Sequence, residues 1–389
     1  MTSAPSSFLS FAFRPFFLCN GLFAVGIISL WILKLHGLNT FGMGSSDPLW
    51  HAHEMLFGFV MAAIAGFSLT AVSTWTGREP VQGVILGWLL GLWLLGRIAM
   101  LWATSLPVWL PLTLDLLFPA GLALVFAREV IAGGSRRNLP LVAIMLLLTV
   151  FNLSYHLGRA DGSSEMQSLS LYLALHTVLL LVAVVAGRIV PSFTANWLRA
   201  RGKEKLPRTV RVLELLVVVA TIATGIAASV AASPGITGLL ALVAAILHGL
   251  RLAQWQGWAT TSEPLLFVLH VAYGWFPLGY GLLALSAFNP GLPSTAAVHA
   301  LAMGVIGSMI LAVTTRVALG HTGRPLQAAR LTVAAYCLFT FAVAARVIGP
   351  ITGAAYMSWI DMAGTAWIAS FALFCWVYWP ILTKPKISS

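Results

Sequence analysis

Charged residues are scarce in this sequence: they make up 8% of the 389 residues, whereas hydrophobic residues make up 59%. Because about a quarter of the residues in a soluble globular domain are charged, this composition excludes such a domain. The apolar residues instead form runs that are each long enough to cross a bilayer. We therefore predict an all-α polytopic membrane bundle of twelve transmembrane helices, surrounded by the lipid bilayer. The predicted spans are residues 13–35, 49–75, 81–103, 107–131, 138–158, 168–188, 209–231, 235–254, 264–286, 294–318, 327–349 and 355–381.

Cysteine is also rare, and the three cysteines, Cys19, Cys337 and Cys375, are isolated from one another within apolar runs. The sequence has no C-x-x-C or C-x-x-C-H motif, which disfavours disulfides, thiolate metal sites and covalently attached haem. Acidic residues number only 11, which disfavours calcium and magnesium sites. Any bound metal is therefore expected to use imidazole ligands.

Negative charge is the scarcer sign, with 11 acidic against 22 basic residues and a net charge of +11. If the N-terminus is inside, only Lys34, Arg159 and Arg346 lie at outer helix ends, and nearly all other basic residues lie at inner ends. Because cytoplasmic loops carry the excess of lysine and arginine, we predict that both termini are cytoplasmic. This asymmetry accounts for the positive charge, so nucleic acid is not expected as a partner.

The second predicted span begins with polar residues that a lipid-facing helix would not carry. Asp47 is a suitable N-cap and Pro48 a suitable first residue, which places His51, His53 and Glu54 in the first two turns. Ionisable groups inside a membrane are costly unless they face the bundle interior and have partners. These residues are therefore candidates for a functional site, unless they lie in the headgroup layer.

Polar residues of other spans fall at the same depth, in the outer half of the bundle. Each would be costly if it were unpaired in hydrocarbon, so together they indicate a shared polar or metal-bearing interior. A single histidine in such a helix is more often a hydrogen-bonded packing residue than a ligand, but the cluster favours ligands. Besides the residues of the second span, the cluster comprises His156, His176, His299, Arg97, Arg346, Asp115 and Asp361.

Imidazole suits haem iron, copper, zinc and non-haem iron. A haem also brings two propionates, and buried propionates need cationic partners such as Arg97 and Arg346. The alternative is that these arginines form ion pairs with Asp115 and Asp361, and the two arrangements are compatible. The aspartates could also accept the second ring N–H of a ligating histidine. The cluster therefore favours a non-covalently bound haem b together with a second metal.

His51 and His53 cannot point into the same pocket, because residues two positions apart are separated by about 200° around a helix. His53 has a counterpart in His299, and we predict that these two histidines are the axial ligands of the haem. His51 shares a face with Glu54, and we assign it to a copper site with His156 and His176.

Part of the sequence repeats: His53 corresponds to His299, and Asp115 to Asp361, at an offset of 246 residues in both pairs. This offset covers an even number of spans, so the repeats are expected to be parallel rather than inverted. We predict one membrane domain, residues 1–389, with three four-helix units at about 13–131, 138–254 and 264–381. Histidines on the second, sixth and tenth spans make this arrangement resemble the main subunit of the haem–copper oxidases, an analogy of fold alone.

The ninth span suggests a different function. Gly274, Pro277, Gly279 and Gly281 predict a kinked or broken helix, which in a transporter exposes backbone groups to a substrate. The alternative function is therefore a permease for a small solute or a metal–nitrosyl complex.

Five stretches of the sequence closely resemble the NnrS family, and the resemblance extends over essentially the whole chain. They are FRPFF at 13–17, DPLWHAHEMLFGF at 47–59, IAGFSLTAVSTWTGREP at 64–80, WLLGR at 93–97 and TRVALGHTGRPL at 315–326. The resemblance implies a twelve-span protein of the bacterial inner membrane that contains haem and copper and takes part in nitric oxide metabolism or resistance to nitrosative stress. The family's histidine-bearing motif falls on His51, His53 and Glu54.

We therefore expect the protein to bind or reduce nitric oxide at the histidine cluster, with an electron donor as a further partner. A reaction like that of the nitric oxide reductases is one form that this function can take. The sequence departs from the pattern of the haem–copper oxidases, whose binuclear centre combines a haem with a nearby metal, because the tenth span has His299 alone and no H-x-H pair.

Overall fold

The computed structural model describes residues 7–38 and 48–387, and the predicted all-helical bundle is confirmed there. The described residues contain twelve helices that are long and apolar enough to cross a membrane, and no strand is assigned among them. Helix α2 begins at Pro48 as predicted, whereas the predicted N-cap Asp47 lies outside the described residues. The helices are α1 Phe13–Leu35, α2 Pro48–Thr76, α3 Val84–Leu101, α4 Trp109–Ala132, α5 Arg136–Ala160, α6 Ser164–Arg199, α7 Arg211–Ser229, α8 Pro234–Ala253, α9 Pro264–Phe288, α10 Ser294–His321, α11 Arg330–Thr352 and α12 Tyr356–Thr383.

Helix α6 is longer than its apolar run, because it continues past Arg188 to Arg199. Beyond Arg188 the buried residues recur every three to four positions on one side of the helix: Val190, Pro191, Thr194, Ala195 and Leu198. This spacing is that of an amphipathic helix with one buried face, which an apolar-run criterion does not detect. The predicted end at residue 188 was therefore too early.

Two of the twelve helices contain π-helical segments. In α2 the segment is Glu54–Val60, directly after His53, and in α10 it is Ala300–Gly307, directly after His299. The sequence separation between the starts of the two segments is therefore the same as that between His53 and His299. Such segments are rare and are often found at functional sites. The four-helix repeat itself stays a prediction.

The small-residue face of α2 packs against aromatic side chains of α1. A Cβ atom added at Gly58 would lie 2.7 Å from the ring of Phe23, and one added at Gly66 would lie 2.6 Å from the ring of Phe17. The side chain of Asn20, also on α1, donates a hydrogen bond to the carbonyl of Phe59 within the π-helical segment at 2.6 Å. Helix α1 thus fixes the position of the segment that carries the polar residues.

Helix α9 runs from Pro264 to Phe288 as one helix with Pro277 inside it, so of the two predicted alternatives, a kinked or a broken helix, the break is not observed. A proline removes one backbone donor and clashes with the preceding turn, but neighbouring helices can compensate in a bundle. Here Tyr273, Phe276 and Tyr280, on the turns around Pro277, are fully buried at 0% exposure. Packing of these rings holds the helix together across the proline.

The chain divides into two compact units. The first comprises the described parts of Met1–Ala174, Val317–Pro325 and Phe371–Ser389, and the second comprises Leu175–Arg316 and Leu326–Ser370. The polar residues of the second to fifth helices all belong to the first unit.

Candidate metal centre

Helix α2 places His53 and Glu54 at the point where its first α-helical turns pass into the π-helical segment. Both residues are fully buried, at 0% exposure. His51, two residues earlier, is half-buried and stacks on Trp31 of α1, with ring centroids 4.5 Å apart. The two histidines thus lie in different surroundings, and His53 is the one that enters the buried polar cluster.

Arg97 on α3 joins two carboxylates of this cluster. Its Nη1 atom donates to Oε1 of Glu54 at 2.7 Å, and its Nη2 atom donates to Oδ1 of Asp115 on α4. The helices approach closely enough for this because of Gly96, where an added Cβ atom would lie 3.1 Å from the Asp115 backbone. For Arg97 the sequence left two roles open, contact with a haem propionate or an ion pair with Asp115. The structure contains the ion pair.

Both ring nitrogens of His53 face oxygen atoms. Nδ1 lies 3.0 Å from Oε1 of Glu54, and Nε2 lies 2.9 Å from Oδ1 of Asn152 and 3.1 Å from Oδ2 of Asp115. The ring itself stacks on Tyr155, with centroids 4.3 Å apart. The orientation of His53 is therefore fixed by hydrogen bonds at its edge and by an aromatic ring on its face.

Helix α5 contributes Asn152 and His156, which lie one turn apart and both contact Asp115. Asn152 donates through Nδ2 to Oδ2 of Asp115 at 2.8 Å, and His156 donates through Nε2 to the same oxygen at 2.9 Å. Asp115 thus accepts hydrogen bonds from both α3 and α5. It is the carboxylate around which the cluster is built.

His53, Asp115 and His156 form a group that could hold a metal ion. One ligand atom from each of them lies within 4.8 Å of the other two, and all three residues are buried. Within residues 7–38 and 48–387 this is the one group of its kind. Two imidazoles and a carboxylate form a donor set that suits a transition metal rather than calcium or magnesium.

Two atoms beside this group carry electron pairs that the described residues do not satisfy. Because Nε2 of His156 donates to Asp115, Nδ1 of the neutral ring is an acceptor, and it is buried with no hydrogen-bond partner there. Oε2 of Glu54 is also buried with no hydrogen-bond partner among the described residues. Buried polar atoms are nearly always paired, so these two atoms are candidates for contact with a cation or a small polar ligand.

Sequence reasoning found His53, Glu54, Arg97, Asp115 and His156, but it missed Asn152. An amide carries no charge, so Asn152 does not stand out in an apolar run as an aspartate does. Its spacing of four residues before His156 was the available signal, since residues at that spacing share a helix face.

The other predicted site residues belong to the second unit. His176 packs against Gly225 of α7, where an added Cβ atom would lie 2.7 Å from the histidine Cβ. Nδ1 of His299 lies 2.8 Å from the carbonyl of Thr295 one turn earlier, and the Arg346 guanidinium lies 5.9 Å from the centre of the Tyr356 ring. Asp361 lies near the start of α12. The predicted copper set of His51, His156 and His176 stays a prediction, as does the pairing of His53 with His299.

The second unit contains a further buried polar network, which connects α7, α8 and α9. Arg251 donates to Glu214 through Nε at 2.9 Å and also through Nη2, and its Nη1 atom donates to Tyr273 at 3.0 Å. The Tyr273 hydroxyl lies 2.8 Å from Nδ1 of His248, whose Nε2 lies 3.0 Å from the Thr221 hydroxyl. Both ring nitrogens of His248 therefore have hydrogen-bond partners within the bundle.

Comparison with known protein families gives a match to the family described as NnrS protein, over residues 7–386. This match covers nearly the whole chain, including both units and every residue of the buried cluster. A search of curated proteins finds no match.

Proposed function

The chain belongs to the NnrS family, and from this membership and its buried cluster we propose that it binds nitric oxide and reduces or otherwise removes it. The proposed site of this activity is a metal ion held by His53, Asp115 and His156. The observation that carries the proposal is the convergence of these three ligand atoms beside the unsatisfied Nδ1 of His156 and Oε2 of Glu54.

We propose copper as the metal. Copper accepts imidazole and carboxylate ligands and cycles between two oxidation states, and so it would supply a centre where nitric oxide can bind and accept electrons. The three ligand side chains need little rearrangement to bind a metal, since they are already buried and held in place. The proposal replaces His51 and His176 with His53 and Asp115 in the copper site.

The surrounding side chains would orient the ligands and keep water away. Arg97 forms ion pairs with both Glu54 and Asp115, which reduces the cost of burying the two carboxylates near each other. Asn152 holds the edge of His53, and the rings of Tyr155 and Phe57 cover it at 4.3 and 5.0 Å. Nitric oxide is a small apolar gas, so it can reach a buried site of this kind through the lipid.

A haem fits less well at His53 than a metal ion does. Nε2 of His53, the atom that would face the iron, lies 2.9 and 3.1 Å from oxygen atoms of Asn152 and Asp115. We therefore place the proposed haem b at His299, where a hydrogen bond from Nδ1 to a backbone carbonyl orients the ring as in many ligating histidines. Nη1 of Arg346 is buried with no partner among the described residues, which suits a propionate.

The proposal includes the setting that the sequence predicts: the bacterial inner membrane, with cytoplasmic termini and an electron donor that remains to be identified. The competing function, a permease, was suggested by the twelve spans and by a kinked or broken ninth helix. Because α9 runs through Pro277 as one helix, a broken helix does not support it.

Metal analysis and nitric oxide binding test the proposal together. The protein is expressed with added copper and haem precursor, and its copper content, visible spectrum and response to anaerobic nitric oxide are measured. We expect copper and a nitrosyl signal from the copper in the wild-type protein, and loss of both in His156→Ala, whereas the nitrosyl signal of a haem at His299 should remain. The control is His270→Ala, which removes a buried histidine of α9 that contacts Thr194. Equal copper content in all three proteins would contradict the proposal.

A further inference from the structure

A cavity of about 460 Å³ lies where the connection between α2 and α3 meets the end of α4. The charge asymmetry of the sequence predicts that this end of the helices is cytoplasmic. The cavity is lined by Gly77, Arg78, Glu79, Pro80, Val81, Gln82, Ile85, Arg128 and Glu129.

Two arginines of this cavity are held by one buried carboxylate. Glu129 is only 3% exposed, and its Oε2 accepts a hydrogen bond from Nε of Arg78 at 2.7 Å. Its Oε1 accepts from Nε and Nη2 of Arg128 at 2.8 and 2.6 Å. The two guanidinium groups are thus tied to the same carboxylate in the lining of the cavity, with less freedom than surface arginines usually have.

The contacts with Glu129 leave most of the arginine donors available. Each guanidinium has about five N–H donors in a planar fork, and fewer than half of the combined set are directed at the carboxylate. The Arg78–Glu129–Arg128 group carries a net positive charge, and the exposed Glu79 side chain can turn towards water. Planar forks of this kind bind phosphate oxygens in bidentate pairs.

The residues beside the cavity distinguish a lipid phosphate from a free one. Ile85 lines the cavity, and Val84 and Trp88, one turn apart on α3, are 75% and 70% exposed. In a membrane these side chains contact acyl chains, so a ligand with its phosphate on the arginines has an apolar surface beside it. Basic pockets at the cytoplasmic ends of membrane helices are suited to anionic headgroups.

We propose that this cavity binds the phosphate group of an anionic phospholipid from the inner leaflet. The site is separate from the metal centre and does not depend on the proposed function. It gives the protein a fixed lipid at the inner ends of α2 and α4.

Native mass spectrometry of the full-length protein with added phosphatidylglycerol or phosphatidylcholine tests this proposal. The test variant is Arg78→Gln/Arg128→Gln/Glu129→Gln, which removes both arginines without leaving a buried carboxylate unpaired. The control is Arg136→Gln/Arg137→Gln, which removes two exposed arginines that follow α4 and do not line the cavity. We expect phosphatidylglycerol affinity to fall about tenfold or more in the test variant and to stay unchanged in the control.

Three results would overturn the proposal: equal phosphatidylglycerol affinity in the wild type and the test variant, equal binding of phosphatidylcholine, or displacement of the lipid by inorganic phosphate. The last result would assign the cavity to free phosphate. Circular dichroism checks that the test variant is folded. If it is not, Arg128→Gln alone replaces it, and the same three comparisons apply.

Discussion

Nε2 of His156 on α5 lies 2.9 Å from Oδ2 of Asp115 on α4. The same aspartate oxygen lies 3.1 Å from Nε2 of His53 on α2, so one carboxylate connects two histidines that are far apart in the sequence. A metal bound by these atoms would take the place of the ring proton that His156 now donates to Asp115. The stability and the metal affinity of the first unit should therefore respond to the same residues.

Copper binding should depend on His53 of α2 and not on His51. His53→Ala should lose copper, because it removes one of three converging ligands, whereas His51→Ala should retain copper although it loses its stacking on Trp31. Copper per chain, measured by inductively coupled plasma mass spectrometry, distinguishes the two variants. Loss of copper in His51→Ala but not in His53→Ala would restore the three-histidine site with His156 and His176.

Asn152 should support the metal site without being a ligand. Residues that orient metal ligands through hydrogen bonds typically contribute about 10-fold to 100-fold in affinity, and Asn152 contacts both His53 and Asp115. Asn152→Ala should therefore weaken copper binding by about that factor in a competition titration with a chelator. Thr149→Ala on the same helix, whose hydroxyl contacts only the Met145 carbonyl in the described residues, is the control and should bind copper normally.

Close approach of α3 and α4 should depend on Gly96. A methyl group there would lie 3.1 Å from the Asp115 backbone and from its carboxylate, so the helices must separate to admit it. We expect Gly96→Ala to destabilise the protein by about 1–3 kcal/mol and to reduce copper binding. Gly91→Ala on the same helix meets nothing within 4 Å and should be neutral or slightly stabilising. Equal thermal unfolding midpoints for the two variants would contradict this account.

The helices were predictable because a membrane-spanning helix needs only a sufficiently long apolar run, and each of the twelve has one. The exception is the end of α6, where burial of one face at Val190, Thr194 and Leu198 continues the helix beyond the apolar run. The π-helical segments were not predictable, because a change in backbone hydrogen bonding leaves no pattern in side-chain hydrophobicity.

The cluster was predictable as a set of polar residues at one depth, but its pairings were not. Spacing along α2 separated His51 from His53, since that depends on one helix. Which residue of α5 meets His53 depends on how two helices are rotated and shifted against each other, and the sequence pattern does not specify this. The structure selects Asn152 and Tyr155 for that contact.

The polar network of the second unit should be structural. A methyl group at Gly187 on α6 would clash with the guanidinium of Arg251, which would displace the arginine from Glu214 and Tyr273. Because Arg251 is buried and its charge would lose its partner, Gly187→Ala should lower the unfolding midpoint. Copper content should be unaffected in the protein that remains folded. Gly281→Ala on α9, which meets nothing within 4 Å, is the control; copper loss in Gly187→Ala alone would connect this network to the metal site.

Membrane orientation decides which side of the membrane the metal centre faces. His53 is five residues from the start of α2, about 8 Å along the helix, so it lies near the end that enters from the outer side if the termini are cytoplasmic. A reporter fused after Ser389 should then be cytoplasmic, and a reporter inserted between Asp161 and Glu165 should be periplasmic. Paired fusions to alkaline phosphatase and to a fluorescent protein that requires the cytoplasm measure both positions. The opposite labelling would place His53 near the cytoplasmic surface, and with it the Arg78 and Arg128 cavity at the periplasmic end.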